Sequence, residues 1–126
     1  MKNLELKQVI LFHEKITNAT GGSSGVKDIG LVESAINRGM ASFAGEEFYK
    51  TIEMKIAAIT HSLISNHGFI DGNKRIGISV MLLLLKMNSV EIVYSQQELI
   101  DLGISIASGN VDENGIESWI MKRKMK

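Results

Sequence analysis

Apolar positions in the first part of the chain recur at three- and four-residue steps. Leu4, Leu6, Val9, Ile10, Phe12, His13 and Ile16 fall on one stripe, the period of an amphipathic helix. This predicts a helix over Leu6–Asn18, followed by the glycine-serine loop "TGGSSG" at Thr20–Gly25. The loop reads as a helix C-cap and turn, because no lysine follows at the spacing a phosphate-binding P-loop requires. Asp28 is placed to cap a short helix, "IGLVESAINRG", that Gly39 would stop. Met40–Thr51 has no clear period and suits a loop or a short β-hairpin. Thr51 can cap a long apolar helix reaching about Asn66, and a second one runs from Asn73 to about Asn88. "VEIVYS" is β-branched and suits a brief extended segment. "QQELIDLGISIASG" and "DENGIESWIMKRK" predict two more helices with acidic starts. The expected architecture is all-α, a bundle of about six helices with at most a short hairpin.

Composition narrows the function classes. A chain of 126 residues is expected to form a single domain, 1–126, around one core. Fourteen basic side chains balance fourteen acidic ones, so no global field steers the protein to nucleic acid or to a membrane. The basic end "MKRKMK" reads as a solvated terminus. Cysteine is absent, which excludes disulfides and thiolate metal sites and fits a cytoplasmic location. Charges interrupt the start, "MKNLELKQVILFHEK", so no signal-peptide core is expected there. The most apolar uncharged run, Ile76–Leu85, is roughly half the ~20 residues that span a bilayer.

One polar stretch interrupts the two most apolar segments: "NHGFIDGNKRIG", Asn66–Gly77. Asn73, Lys74 and Arg75 fall at the start of a helix, where free backbone N–H groups favour an anion. Gly72 lets a ligand approach the backbone closely. Lys74 and Arg75 add full charges, and arginine can grip phosphate oxygens with two donors. Asp71 offers a hard oxygen ligand of the kind Mg²⁺ uses together with substrate phosphates. His67 could act as a general base. Phe69 would anchor the loop. Each residue alone has a bland reading: His67 as a cap, Asp-Gly-Asn as a turn. Two cations at a helix start oppose the helix dipole, however, and favour a functional role. His61 and His67, six apart, cannot share a metal from one helix face; His13 and His61 are read as core or supporting residues.

"HGFIDGNKRIG" resembles the signature of the Fic/Doc family, His-x-Phe-x-Asp/Glu-Gly-Asn-Gly/Lys-Arg. "GGSSGVKDIGLVESAINR" is similar to the N-terminal block of its death-on-curing branch, and "AGEEFYKT" to its flap. The resemblance implies a Fic-type helical fold and transfer of a nucleotide-derived phosphate group to a protein hydroxyl. It implies that His67 is the base, that Asp71 holds Mg²⁺, that Gly72, Asn73 and Lys74 form the anion-binding turn, and that Arg75 contacts phosphate. Lysine at position 74, where AMP-transferring members carry glycine, points to the Doc branch. That branch implies a kinase moving the γ-phosphate of ATP to a threonine of elongation factor Tu, with AMP transfer and a non-catalytic nucleotide-binding module as alternatives. Lys74 and Arg75 would then also be catalytic. Gly68 stands where proline is common, which should loosen the loop. No self-inhibitory Ser/Thr-x-x-x-Glu-Gly/Asn helix is present; "SFAGEE" comes nearest, with Glu47 in the last place. The family then implies a small antitoxin acting in trans.

Overall fold

A computed structural model describes residues 1–125. The described residues contain six α-helices: α1 Leu6–Thr20, α2 Ile29–Asn37, α3 Ile52–Ser65, α4 Asn73–Met87, α5 Gln96–Ala107 and α6 Glu113–Arg123. A 3₁₀ turn at Arg38–Met40 and a hairpin of β1 (Ser42–Phe43) and β2 (Glu46–Glu47) lie between α2 and α3. The fold is all-α apart from that hairpin.

Helices α2 and α3 start where capping chemistry allows. Asp28 accepts from the Leu31 N–H at 3.2 Å, and Thr51 accepts from the Met54 N–H at 3.1 Å, each satisfying one orphan donor of a first turn. Helix α1 runs past the expected Asn18 to Thr20, because Gly21, with φ of 81°, supplies the left-handed cap. Gly39 does not stop α2 in that way. It sits inside the 3₁₀ turn, where a Cβ would lie 2.9 Å from the Lys55 carbonyl oxygen. The hairpin pairs Phe43 with Glu46 across Ala44 and Gly45. Both central residues have positive φ, the geometry of a type I′ turn.

Helix α3 is the axis of the core. Ile56, Ala57, Ala58, Ile59, Leu63 and Ile64 are all buried, so α3 is apolar nearly all round, as a central helix must be. It packs against α2, α4, α5 and α6. Helix α4 turns Ile76, Val80, Met81, Leu84 and Leu85 inward. The loop joining the two helices is therefore held by the best-packed pair in the molecule.

"VEIVYS" forms no strand of its own. It lies extended beside the chain end, with Ile92 bridging Lys124 and the Val93 N–H donating to the Arg123 carbonyl at 2.9 Å. The basic end is not simply solvated. Lys124 pairs with Glu53 at 2.6 Å and Arg123 with Glu98 at 2.7 Å; Lys126, the last residue of that run, lies outside the described residues. Among the described residues no helix is long and apolar enough to cross a membrane.

Candidate active site

The motif loop is built from its buried side. Phe69 is fully buried and its ring stacks on His13 of α1, centroids 3.9 Å apart and planes 17° apart. Its backbone bridges Val26, and the Ile70 N–H donates to the Gly25 carbonyl. Asn73 closes the loop on itself. Its Oδ1 accepts from the Phe69 N–H and its Nδ2 donates to the Phe69 carbonyl, both at 3.1 Å. The Asn73 side chain, expected in the anion-binding turn, is thus occupied in holding the loop. Its backbone N–H faces no such demand and remains for a ligand.

Gly68 is pinned rather than loose. Its carbonyl accepts from the N–H groups of Lys27 and Asp28 at 2.8 and 3.0 Å, and a Cβ there would lie 2.6 Å from Val32 Cγ2. The expected loosening is not what the packing produces, since α2 presses directly on this glycine. His67, just before it, is exposed and has φ of 51°. A non-glycine residue in the left-handed region costs about 1 kcal/mol or more, and such strain concentrates at functional sites.

Beyond Phe69 the loop turns outward. Helix α4 begins at Gly72, with φ of 76° and no side-chain cap on its first turn. Its leading N–H groups are left for an anion, and the dipole favours one. Lys74 and Arg75 stand exposed on that turn. Arg75 Nη1 donates to the Thr20 hydroxyl at the end of α1, at 2.9 Å, which aims the guanidinium across the opening and leaves other donors free. Asp71 is exposed; its Oδ1 accepts from the Gly72 N–H at 2.8 Å and its Oδ2 from the Ser23 N–H at 3.3 Å. Among the described residues none of His67, Asp71, Lys74 and Arg75 is in an ion pair.

These residues line one open pocket of ≈ 480 Å³, together with Gly21, Gly22, Ile64 and Ile70. The structure thus gathers all six expected site residues: His67, Asp71, Gly72, Asn73, Lys74 and Arg75. A family model described as the Fic/DOC family matches residues 3–85. The chain belongs to the Fic/Doc family.

Two relatives of this Fic/Doc chain are similar over most of their length. "Protein kinase doc" of Escherichia phage P1 is 29% identical over 122 residues, covering 97% of this chain and 95% of that protein. "Toxin Doc" of Mycolicibacterium smegmatis is 32% identical over 100 residues, covering 78% of this chain and 77% of that protein.

The Fic/Doc pocket also answers which groups it could hold. Asp71 Oδ2 has a single, long hydrogen bond, so it retains lone pairs for a metal. No group of three His, Cys, Asp or Glu side chains suited to a metal occurs among the described residues. A cation at Asp71 would therefore complete its coordination with water and substrate phosphate, which is the habit of Mg²⁺. The uncapped start of α4 with Lys74 and Arg75 fits a polyphosphate.

Several participants escaped sequence reasoning. The loop "TGGSSG" is a C-cap as expected, but Gly21 and Gly22 also line the site and Ser23 holds Asp71. Thr20 receives Arg75. His13 is buried and supports the loop, as expected. His61 does not belong with it: half-buried on α3, among the described residues it reaches only the Ser65 hydroxyl at 3.4 Å.

Proposed function

We propose that this chain is a Doc-type toxin that transfers the γ-phosphate of ATP to a hydroxyl of a target protein, a threonine of elongation factor Tu. The observation that carries this reading is the convergence of His67, Asp71 and the uncapped, doubly cationic start of α4 on one pocket. The names of the two relatives, a protein kinase and a toxin, support it.

In this mechanism His67 takes the proton of the target hydroxyl as the hydroxyl oxygen bonds to the γ-phosphorus and the bond to the departing ADP breaks. Its exposed ring lets a protein substrate reach it. Lys74, Arg75 and the first N–H groups of α4 hold the phosphates and stabilise charge that builds on them. Asp71 holds Mg²⁺, which when bound would neutralise phosphate charge. The reaction would be restrained by a small antitoxin in trans. An apolar groove of ≈ 650 Å³, lined by Ile16, Ile78, Leu82, Ile100 and Ile104, shares Thr20, Lys74 and Arg75 with the pocket and offers such a segment a surface beside the site. We place the protein in the cytoplasm, where its target is.

The deciding experiment incubates the protein with elongation factor Tu and ATP labelled at either the α- or the γ-phosphorus. Label from γ alone is expected. Label from α alone would overturn the kinase reading in favour of AMP transfer, and nucleotide binding with no labelled protein would leave a binding module.

A further inference from the structure

One buried ionisable group touches the site from below without facing a substrate. His13 is 2% exposed, and its Nε2 lies 2.6 Å from the Asp71 carbonyl oxygen. A carbonyl has no proton to give, so Nε2 carries the hydrogen and donates it. We propose that His13 is a positioning residue that locks the Asp71–Gly72 peptide plane in the orientation the site needs. This inference rests on the nucleotide reading above for its effect on binding, though not for the lock itself.

The argument starts from the freedom of that plane. Gly72 has φ of 76°, and glycine occupies positive and negative φ about equally well. The 71–72 peptide can therefore rotate by half a turn with little steric penalty. In a trans peptide the C=O and the N–H point in opposite directions. With the Asp71 carbonyl turned into α1 to meet His13, the Gly72 N–H turns outward and meets Asp71 Oδ1 at 2.8 Å. That bond fixes the carboxylate, and Oδ2 is left facing Ser23. After a half-turn the carbonyl oxygen would stand where the N–H now is, against the Asp71 carboxylate and beside the anion-binding start of α4. The donor array would then contain an acceptor.

His13 is well held for this task. Its ring stacks on Phe69, the residue that Asn73 clamps at both backbone atoms. Thr17, one turn later on α1, is also buried, and its Cγ2 and His13 Nε2 would each lie 3.5 Å from a Cβ at Gly72. One imidazole thus fixes Phe69 by its face and Asp71 by its edge.

Two substitutions separate the face from the edge. His13→Phe keeps a ring to stack but has no donor; His13→Gln loses the ring but reaches with an N–H. In the ¹⁵N–¹H spectrum the Gly72 amide should shift or broaden in His13→Phe and stay near its wild-type position in His13→Gln. Calorimetric titration with Mg²⁺ and a non-hydrolysable ATP analogue should give a Kd about tenfold weaker in His13→Phe, since affinity falls with the population of the competent orientation. His13→Gln should stay within about threefold of wild type. An unmoved Gly72 amide together with wild-type affinity in His13→Phe would overturn the proposal. Equal damage in both variants would also overturn it, because His13 would then act through packing alone. If His13→Phe fails to fold, His13→Asn, too short to reach the carbonyl, takes its place. A wild-type protein that binds no nucleotide, or an Asp71→Asn protein that binds as well as wild type, would count against the nucleotide reading, while the Gly72 amide still reports on the lock.

Discussion

The two ends of α3 handle charge in opposite ways. At its start, charges are paired and partly buried. Lys55, 7% exposed, donates to Glu47 at 3.1 Å and to the Tyr49 carbonyl at 2.5 Å. Glu53 meets Lys124, and Glu113 takes the Tyr49 hydroxyl while Arg38 lies 5.5 Å from the centre of that ring. At the other end, His67, Asp71, Lys74 and Arg75 are exposed, and none has an ionic partner among the described residues. The first arrangement anchors the hairpin and the chain end to the core. The second leaves charges available to a ligand. At the two ends of α3, then, the paired charges serve structure and the unpaired ones are candidates for chemistry.

The sharpest way to break that contrast is at His67. His67→Gly removes the proposed base and should lower phosphate transfer about 10²–10⁴-fold, the usual contribution of a positioned proton acceptor. It also removes a strained left-handed residue, so the melting temperature should be no lower than that of the wild type. A large loss of melting temperature would mean that His67 is structural after all, and the contrast between the two ends would fail there.

The paired end should respond in the opposite sense. Lys55→Met keeps the stem packing but leaves the Tyr49 carbonyl without its donor, at a cost of about 1–3 kcal/mol. Denaturant unfolding should show that loss, while the affinity for Mg²⁺ and nucleotide stays within about twofold. Weakened binding at full stability would show that the hairpin end takes part in the site.

Much of this contrast was legible in the sequence, on one side only. The motif is contiguous, so its residue types and spacing already located His67, Asp71 and the α4 start. Helices with local signals, such as Asp28 and Thr51 at their caps, were readable for the same reason. What stayed hidden depends on partners distant in the chain. His13 looks like any residue on an apolar stripe, because the carbonyl it holds is 58 positions away. The end run "MKRKMK" reads as solvated because nothing local points to Glu53, 71 positions from Lys124. Gly68 looked like a loosened proline site because Val32, which excludes a Cβ, lies far back in the chain on α2. Helix α2 does end just before Gly39, but in a 3₁₀ turn packed on Lys55 and not in a left-handed glycine cap.

The smallest effect expected is also the most specific in sign. Burial pushes the Glu53 carboxyl up, but the Lys124 hydrogen bond, a backbone hydrogen bond of Glu53 itself and the Lys124 charge together hold it below its usual value of 4.5. A carboxylate held below its unfolded value stabilises the fold above that value and loses the contribution as pH falls through the folded one. In Lys124→Ala the opposing contacts shrink and burial dominates. The variant should lose about 1 kcal/mol at neutral pH, a partly exposed partner limiting the figure. The deficit should shrink as pH drops from about 4.5 and close below the lower folded-state value of Glu53, where that carboxyl is protonated in both proteins. Melting curves from pH 7 to pH 3 measure it. A deficit that persists undiminished at pH 3 would assign the role of Lys124 to its stem and backbone position beside Ile92, not to its charge.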